Sequence, residues 1–403
     1  MFTQRQPIIF IFLVAALALA ACSLPVTTTT ALPTAVPTTA PTTPPTQPPA
    51  TAAPPTTVPT PSPTATSTLA PTLHGFAVYD RQKSEVRGYN AETKAELFKY
   101  SVSTTDYWGF GSAQMVGDTL FYFSSKDQTV TQVNKTGSAQ LSFLPKSVSL
   151  GFAVSPDGKQ IAWSLDLQGQ NNPGSELWVA NIDGTNAKKI ASIDAATNSK
   201  WLVLRPYRWL DDGRLLFIYK PTGIGGYILF YGFAGISIYD PAGGNNAITP
   251  LMAPAAPGSG IQCVNEISPD LKTAVMTCGS QTQGQIILRD IASDKLTAIP
   301  LLPDQVQAGS PVYSPSGDWL AYAVARGQPD NEVGKAAIVP AAGGQPQVIA
   351  TFSGGYVHVA AWIDENRLLL ESIQNDGSSV WTVNRDGSGL VKLADGSYVG
   401  PVK

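Results

Sequence analysis

Short stretches in which apolar and polar residues alternate recur from Gly75 to the end of the chain. Each is followed by a turn-forming pair, such as Asp183-Gly184 or Gly343-Gly344, and then by a second short apolar segment, which predicts a β-hairpin. The unit returns about every 44 to 59 residues, a period typical of a propeller blade rather than of a helical solenoid. Seven such units are present, with central strands at 85–89, 129–133, 176–180, 235–239, 285–288, 335–339 and 380–383.

A second kind of hairpin precedes most of these units. Its clearest example is 155–159, Ser-Pro-Asp-Gly-Lys, in which proline presets φ, aspartate caps the turn and glycine takes the left-handed position. Related turns occur at 210–213, 268–271, 314–317 and 363–366. Together with the apolar-aromatic strand that follows it, this hairpin resembles the repeat of TolB-type, WD40-like propellers. The resemblance covers most of residues 74–403 and implies blades of four strands, but it says little about function.

The repeats at the two ends of this region are complementary. The first opens with 75–79 as its second strand and so lacks an innermost strand, whereas 396–403 is a spare extended segment. We expect the C-terminal segment to supply the missing strand and close the ring, which removes exposed sheet edges. The predicted fold is an all-β propeller of seven four-stranded blades, with six blades and an irregular cap as the alternative.

The chain before the repeats carries an export signal and a spacer. Residues 1–21 hold the single charge of Arg5 and an apolar segment too short to span a membrane comfortably, as in a signal peptide. The segment ends in Leu-Ala-Ala-Cys at 19–22, which resembles the bacterial lipobox and implies acylation of Cys22; an ordinary secretory signal is the alternative. Residues 22–72 are almost entirely Thr, Pro, Ala and Ser, which predicts a semi-rigid stalk, or a disordered tether, before a propeller domain at 73–403.

Composition narrows the choice of partners. The formal net charge is −3 and 14% of residues are charged, without a lysine or arginine cluster, so nucleic acid is not an expected partner. The lipid anchor is the expected link to a membrane. The only histidines are His74 and His358, both expected to be structural, and the sequence lacks zinc, Walker and serine-hydrolase motifs. We therefore expect no metal, no cofactor and no catalytic residues.

Two of the three cysteines form a candidate disulfide. Cys263 and Cys278 flank the turn at 268–272 almost symmetrically, so neighbouring antiparallel strands would place them opposite each other. An exported protein permits such a cross-strand bond. Two free thiols are the alternative, because a one-residue bulge would point the side chains to opposite faces.

The connections between strands alternate between the two faces of a propeller. One set is short here, and the other is long, at 166–175, 192–207, 221–234, 250–262 and 326–334. Variable loops on a rigid scaffold often carry binding function, so we assign the functional face to the long connections and to the mouth of the central channel. The candidate partner-binding residues there are aromatic: Tyr107, Trp108, Trp201, Tyr227, Phe230 and Tyr231. The last three belong to the run 227–233, for which a hairpin packed on its own blade is the alternative. Six tryptophans in predicted strands are expected to pack between blades: Trp163, Trp178, Trp209, Trp319, Trp362 and Trp381.

These features predict a membrane-anchored, extracytoplasmic binding or scaffold lipoprotein that recognises a protein, a peptide or an envelope glycan. An enzyme acting on envelope or extracellular glycans and a purely structural envelope protein are the alternatives. Two or more buried carboxylates with raised pKa values on the long-loop face would favour the enzyme, whereas an apolar patch rimmed with aromatic residues would favour binding.

Overall fold

The described part of the protein consists of β-strands. The computed structural model describes residues 73–402, apart from 105, 107–111, 148–149, 168–173, 198–201, 223–228, 230–231, 245–246, 255–262, 279–283, 328–331, 376 and the side chain of Cys278. These residues form 28 strands, all within the unit Ala65–Lys403. None of them belongs to a helix of the length and apolar character that crossing a membrane requires.

The strands form seven antiparallel meanders of four, each of which is one blade. The first strands of neighbouring blades contact one another and therefore surround the central axis. From the centre outwards, the strands of blades 1 to 4 are β28 (Ser397–Val402), β1 (Gly75–Asp80), β2 (Glu85–Asn90) and β3 (Glu96–Ser101); β4 (Ala113–Val116), β5 (Thr119–Ser124), β6 (Thr129–Asn134) and β7 (Gly137–Gln140); β8 (Phe152–Val154), β9 (Gln160–Leu167), β10 (Gly174–Asn181) and β11 (Lys188–Ile193); β12 (Leu202–Trp209), β13 (Leu215–Pro221), β14 (Gly235–Tyr239) and β15 (Ile248–Met252).

The remaining three blades follow the same plan. Blades 6 and 7 also touch through one parallel bridge, between Val333 and Gly355. From the centre outwards, the strands of blades 5 to 7 are β16 (Cys263–Ile267), β17 (Thr273–Cys278), β18 (Ile287–Asp290) and β19 (Leu296–Ala298); β20 (Gln307–Tyr313), β21 (Trp319–Ala325), β22 (Val333–Pro340) and β23 (Gln347–Ser353); β24 (Gly355–Trp362), β25 (Arg367–Gln374), β26 (Gly377–Asn384) and β27 (Val391–Asp395). The predicted all-β propeller of seven blades is confirmed, and the six-bladed alternative is wrong.

The ring closes as predicted. The C-terminal strand β28 pairs antiparallel with β1, from Gly75 opposite Val402 to Tyr79 opposite Ser397. The first chain segment of the domain is therefore the second strand of blade 1, and the last segment is its innermost strand. This arrangement gives β1 a hydrogen-bonded neighbour on both sides, so it does not present an open edge.

The hydrophobic core is divided into seams between blades. Seven clusters of buried side chains occur in the described part of the chain, and each joins two neighbouring blades. The six strand tryptophans take part, as expected. Trp209 Nε1 donates to the Ala153 carbonyl at 3.0 Å, and Trp362 Nε1 donates to the Val312 carbonyl at 3.0 Å, so two indoles also bond across a seam. Flat, interlocked seams of this kind hold the blades in register.

The Ser-Pro-Asp hairpins are turns held by their own side chains. Ser155 Oγ donates to Asp157 Oδ1 at 2.6 Å and accepts from the Gln160 amide at 2.9 Å. The Ser155 hydroxyl holds the pKa of Asp157 below its usual value. A carboxylate bound in this way stays charged and stabilises the turn, as expected of an aspartate that caps it.

Candidate functional site

The long connections of the propeller are not spread evenly around the ring. Connections of six or more residues on this face occur at 102–112, 141–151, 168–173, 194–201, 222–234, 253–262, 279–286, 299–306 and 326–332, from the outer strand of blade 1 round to blade 6. The chain passes from blade 6 to blade 7 through Gly354 alone, and from blade 7 to blade 1 through Gly396 alone. The long-loop face is therefore bordered by short connections over one sector, at blades 7 and 1.

One expected loop is largely a strand. The prediction of a connection at 192–207 is wrong, because β11 extends to Ile193 and β12 begins at Leu202. Pro206 lies within β12, although proline cannot donate a ladder hydrogen bond. It is tolerated because β12 is an innermost strand with a single partner, β13, and the register shifts next to it, between Pro206 and Arg208.

Most of the predicted site residues lie outside the described residues: Cys22, Tyr107, Trp108, Trp201, Tyr227, Phe230 and Tyr231. Three members of the run 227–233 are described: Leu229 and Phe233 are buried, and Gly232 is half-buried. The Leu229 amide donates to Gln307 Oε1 at 3.2 Å, and the Phe233 amide donates to the Val264 carbonyl at 2.8 Å. Leu229 packs in the core between blades 6 and 7, and Phe233 packs in the core between blades 4 and 5, so neither side chain is exposed.

The candidate disulfide has the register that it requires. Cys263 in β16 stands directly opposite Cys278 in β17, and Cys263 is disulfide-bonded. The register shifts immediately afterwards, between Cys263 and Val264, so the bulge does not separate the two positions.

A cluster of polar side chains lies where the ring closes. His358 in β24 and Glu371 in β25 are directly opposite each other, and such pairs share one face of a sheet with Cβ atoms about 4.5–5.5 Å apart. That face packs on blade 1, since the neighbouring Leu369 lies in the seam with Tyr398 of β28. The Tyr356 ring is 5.4 Å from the His358 ring. We call the group formed by Tyr356, His358, Glu371 and Tyr398 the closure cluster.

Two groups of the closure cluster have pKa values far from their usual ones. Burial raises the pKa of Glu371 from 4.5 to about 7, although hydrogen bonds from the Ser397 and Ser378 side chains and the Tyr398 backbone act in the opposite direction. Burial also lowers the pKa of His358 from 6.5 to about 4. Near neutral pH the histidine is therefore an uncharged donor and acceptor, while the carboxyl group exchanges between its two forms.

The closure cluster is within reach of solvent despite its desolvation. His358, Glu371 and Tyr398 are all half-buried, and β24 and β28 are innermost strands. Ser397 and Tyr398 open β28 directly after Gly396, at the end of the strand on the long-loop face. Because Gly354 and Gly396 are the whole connections there, this side of the channel mouth has little chain of its own to cover it.

The contacts of a second buried carboxylate, Glu266, are those of a structural residue and differ from those of Glu371. Glu266 in β16 accepts from the Tyr207 hydroxyl at 2.8 Å and from the Ile267 amide at 2.8 Å, and it pairs with Arg208 at 3.2 Å. Its charge is neutralised across the seam of blades 4 and 5. Glu371 differs because no lysine or arginine of the described chain contributes to its pKa.

Sequence reasoning missed Glu371 and treated His358 as structural. The available signal was the carboxylate itself, which follows Leu368-Leu369-Leu370 in a strand that is otherwise apolar at its centre. A charged residue at an inward position of a core strand is the informative exception to the usual pattern. The pairing of Glu371 with His358 could not be found from the sequence, because the register of the two strands depends on the turn between β24 and β25.

The described residues offer no obvious metal site. No group of three or more His, Cys, Asp or Glu side chains in the described ranges is arranged to hold a metal ion. The closure cluster supplies one imidazole, one carboxyl group and hydroxyls, which suits hydrogen bonding to an organic ligand.

Comparison with known proteins gives neither a family nor an activity for this chain. No protein-family model matches the chain. No curated protein matches it either. Similar solved structures include TolB from Acinetobacter baumannii, with 14% identity, 81% of this chain and 82% of that chain covered, and a TM-score of 0.41. They also include oligogalacturonate lyase from Vibrio parahaemolyticus, with 11% identity, coverage of 78% and 90%, and a TM-score of 0.48. A third is the dihydro-heme d1 dehydrogenase NirN, with 13% identity, coverage of 82% and 75%, and a TM-score of 0.48.

These structures include a TolB protein and two enzymes. Each is 14% identical or less to this chain, with a TM-score below 0.5, so the site has to be interpreted from its own residues.

Proposed function

We propose that this chain is an extracytoplasmic binding protein, anchored by a lipid on Cys22, that takes up a ligand at the channel mouth beside Glu371 and His358. The ligand is a protein segment, a peptide or an envelope glycan. The observation that carries the proposal is the half-buried Glu371 carboxyl group, which lacks a cationic partner among the described residues and hydrogen-bonds to the first two residues of β28, next to the short connection at Gly396.

The closure seam does not need a carboxyl group for its own stability. Phe76, Val78, Leu369 and Val380 already seal it with buried apolar side chains. Burying a carboxyl group without a charge partner lowers stability, and an apolar residue of similar size would remove that cost. Keeping Glu371 and His358 side by side is therefore best explained by recognition of a ligand with hydrogen-bonding groups.

Two features support export. The signal-like segment with its lipobox stands at the start of the chain. Cys263 is disulfide-bonded, and structural disulfides persist mainly in oxidising compartments outside the cytoplasm. Both agree with a propeller displayed on the outer side of a membrane by the stalk at 22–72.

The binding proposal is tested with the full-length chain in detergent. Peptides and envelope-glycan fragments are titrated by calorimetry against wild type, Glu371→Leu and the matched control Glu176→Leu. Glu176 is a carboxylate of β10 that pairs with Lys189 at 2.8 Å, away from the closure cluster. For any probe that wild type binds, we expect Glu371→Leu to raise the Kd by about tenfold or more, which is about 1.4 kcal/mol. The control Glu176→Leu should change the Kd by less than about twofold. A probe bound equally by wild type and Glu371→Leu contradicts the proposal.

An enzyme acting on glycans is the second candidate, and the pKa of Glu371 favours it. A carboxyl group with a pKa of about 7 can donate and accept a proton at neutral pH, which suits general acid-base catalysis. Glu371→Gln separates the two functions, because glutamine keeps hydrogen bonds but cannot transfer a proton. Slow cleavage of a bound glycan by wild type and none by Glu371→Gln, with binding retained, would identify an enzyme.

A further inference from the structure

The contacts of Glu371 suit the ionised form of its carboxyl group. The Ser397 and Ser378 hydroxyls and the Tyr398 amide donate hydrogen bonds to it, and each of these bonds lowers its pKa. An ionised carboxylate only accepts hydrogen bonds, through about four lone-pair sites, whereas a protonated carboxyl group is itself a donor. The Tyr398 amide is a backbone donor that cannot become an acceptor. The site is therefore arranged to receive a negative charge.

The described chain does not supply the matching positive charge. Blade 7 carries three cationic side chains, and each has a partner elsewhere: Arg367 pairs with Asp364 at 2.6 Å, Lys392 pairs with Asp395 at 2.5 Å, and Arg385 Cζ lies 4.6 Å from the centre of the Trp319 ring. The donors to Glu371 are neutral, and they do not offset its desolvation, which raises its pKa to about 7. A cation beside the carboxyl group would offset this desolvation.

Aromatic rings flank the carboxyl group. Tyr356 lies on the same face of β24 as His358, and the centres of their rings are 5.4 Å apart. Burial raises the pKa of Tyr356 and of Tyr398, and the nearby charge of Glu371 raises both further. The faces of aromatic rings attract cations, and tyrosine hydroxyls can accept hydrogen bonds from them. Burial keeps His358 uncharged near neutral pH, so its ring does not repel a cation.

The number of free acceptor sites selects the kind of cation. Three donors occupy the Glu371 carboxylate, which leaves about one of its four lone-pair sites. A guanidinium group binds a carboxylate best through two parallel hydrogen bonds and so needs two free sites. A primary ammonium group needs one, and its other N–H groups can reach the tyrosine hydroxyls. A quaternary ammonium group cannot donate at all.

The shape of the site favours a slender group. The four side chains of the closure cluster are half-buried, so a ligand reaches the carboxyl group only with a narrow part of its structure. The lysine side chain carries its ammonium group on an unbranched four-carbon stem, which an amino terminus lacks. The strands that bear the four side chains, β24, β25 and β28, are described without a gap.

We propose that the closure cluster is a subsite for a primary ammonium group, carried by a lysine side chain of a peptide or protein ligand. This inference rests on the proposed binding function and names the chemistry of the ligand. The Glu371 carboxylate accepts one N–H of the ammonium group, and the rings of Tyr356 and Tyr398 flank its charge. An amino-terminal ammonium group offers the same chemistry without the stem, so the test includes both sources.

The test compares short peptides on the full-length chain in detergent. Four capped tripeptides carry lysine, acetyl-lysine, norleucine or arginine between two alanines, and an uncapped trialanine amide supplies a free amino terminus. Binding is measured by calorimetry at neutral pH and constant ionic strength. We expect the lysine peptide to bind with a Kd near about 1 mM, about tenfold or more below that of the acetyl-lysine and norleucine peptides. Its Kd should be about threefold or more below that of the arginine peptide and trialanine amide.

Glu371→Gln keeps the size of the side chain and removes its charge. We expect the preference for lysine over acetyl-lysine to fall from about tenfold to about twofold or less. Glu176→Gln is the matched control, because this carboxylate of β10 pairs with Lys189 at 2.8 Å, and its preference should equal that of wild type. Thermal melts confirm folding. Should Glu371→Gln not fold, Tyr356→Leu removes one flanking ring instead and should weaken the preference by about threefold or more.

Three outcomes overturn the inference. The first is equal binding of the lysine and acetyl-lysine peptides by wild type. The second is binding of the arginine peptide or of trialanine amide as tightly as the lysine peptide. The third is a lysine preference that survives in Glu371→Gln, or in Tyr356→Leu where that variant replaces it, or that is lost equally in Glu176→Gln.

Failure of this inference differs from failure of the binding proposal. If a glycan or a lysine-free peptide binds in a way that depends on Glu371, while lysine brings no advantage, only the ammonium subsite is wrong. If no probe, the lysine peptide included, depends on Glu371, the binding proposal is wrong as well.

Discussion

At the residue scale, Glu371 and His358 link folding to pH in opposite directions. Glu371 holds its proton more tightly in the folded protein, with a pKa of about 7 against 4.5, so its contribution to stability is complete below pH 4.5 and is lost as the pH rises through 7. His358 has a folded pKa of about 4 against 6.5, so its contribution is present above pH 6.5 and is lost as the pH falls through 4. Over the shared range the two effects offset each other.

Single substitutions should expose this hidden pH dependence. Relative to wild type, Glu371→Gln should become more stable as the pH rises from about 4.5 to about 7, because it lacks the Glu371 effect. Relative to wild type, His358→Gln should become less stable as the pH rises from about 4 to about 6.5, because it lacks the His358 effect. Each slope should reach up to about 1.4 kcal/mol per pH unit, measured by urea unfolding across the pH range. Slopes that run parallel to wild type in both variants would contradict the prediction.

Gly151 should prove sensitive to the smallest possible enlargement. Gly151→Ala places a methyl group against Arg205 Cδ and should lower the free energy of unfolding by about 1–3 kcal/mol. Gly400→Ala is the matched control, because a Cβ there meets its nearest atom, the Met115 amide nitrogen, at an ordinary 3.4 Å. Urea unfolding of both variants makes the comparison. A larger loss in Gly400→Ala would mean that the space around Arg205 is not tight.

At the element scale, the closing strand serves both fold and site. β28 completes blade 1 by pairing with β1, and its first two residues, Ser397 and Tyr398, hydrogen-bond to Glu371. Ring closure could be predicted from the sequence, because the first repeat was one strand short and 396–403 was left over. The role of its first residues could not, because it depends on how closely blade 7 packs against blade 1.

Removing the closing strand should damage stability and site together. Deletion of 397–403 exposes the edge of β1, and we expect the melting temperature to fall by about 4 °C or more. It also removes two hydrogen-bond donors to Glu371 that lower its pKa. Calorimetry on the full-length and shortened chains measures the first effect. An unchanged transition would mean that β28 contributes little to closure.

At the scale of the whole molecule, local patterns predicted the architecture but not the polar sites. Alternation and turn residues fix each hairpin locally, so seven blades could be counted before any contact was known. Glu371 with His358, and Arg205 with Asp166, are pairs brought together by strand register or by contact between blades.

Acylation of Cys22 is a further prediction at this scale. If Cys22 is the lipid-bearing first residue of the mature protein, mass spectrometry of the membrane fraction should find an acylated N-terminal cysteine. Cys22→Ala should then appear unlipidated and lose stable membrane attachment, while its propeller melts at an unchanged temperature. A free Cys22 thiol in mature wild-type protein, or cleavage elsewhere, would contradict the prediction.

The way in which the chain enters the ring has a mechanical consequence. The Leu73 amide donates to the Ile363 carbonyl of blade 7 at 2.9 Å, and two residues later β1 begins between β28 and β2. A pull on the tether that precedes residue 73 is therefore shared at once by two blades and two hydrogen-bonded ladders. Had the tether led into an outermost strand, the same force would have peeled one strand from one edge. A chain anchored through residues 22–72 would therefore load the ring through two blades, at the face opposite the proposed ligand site.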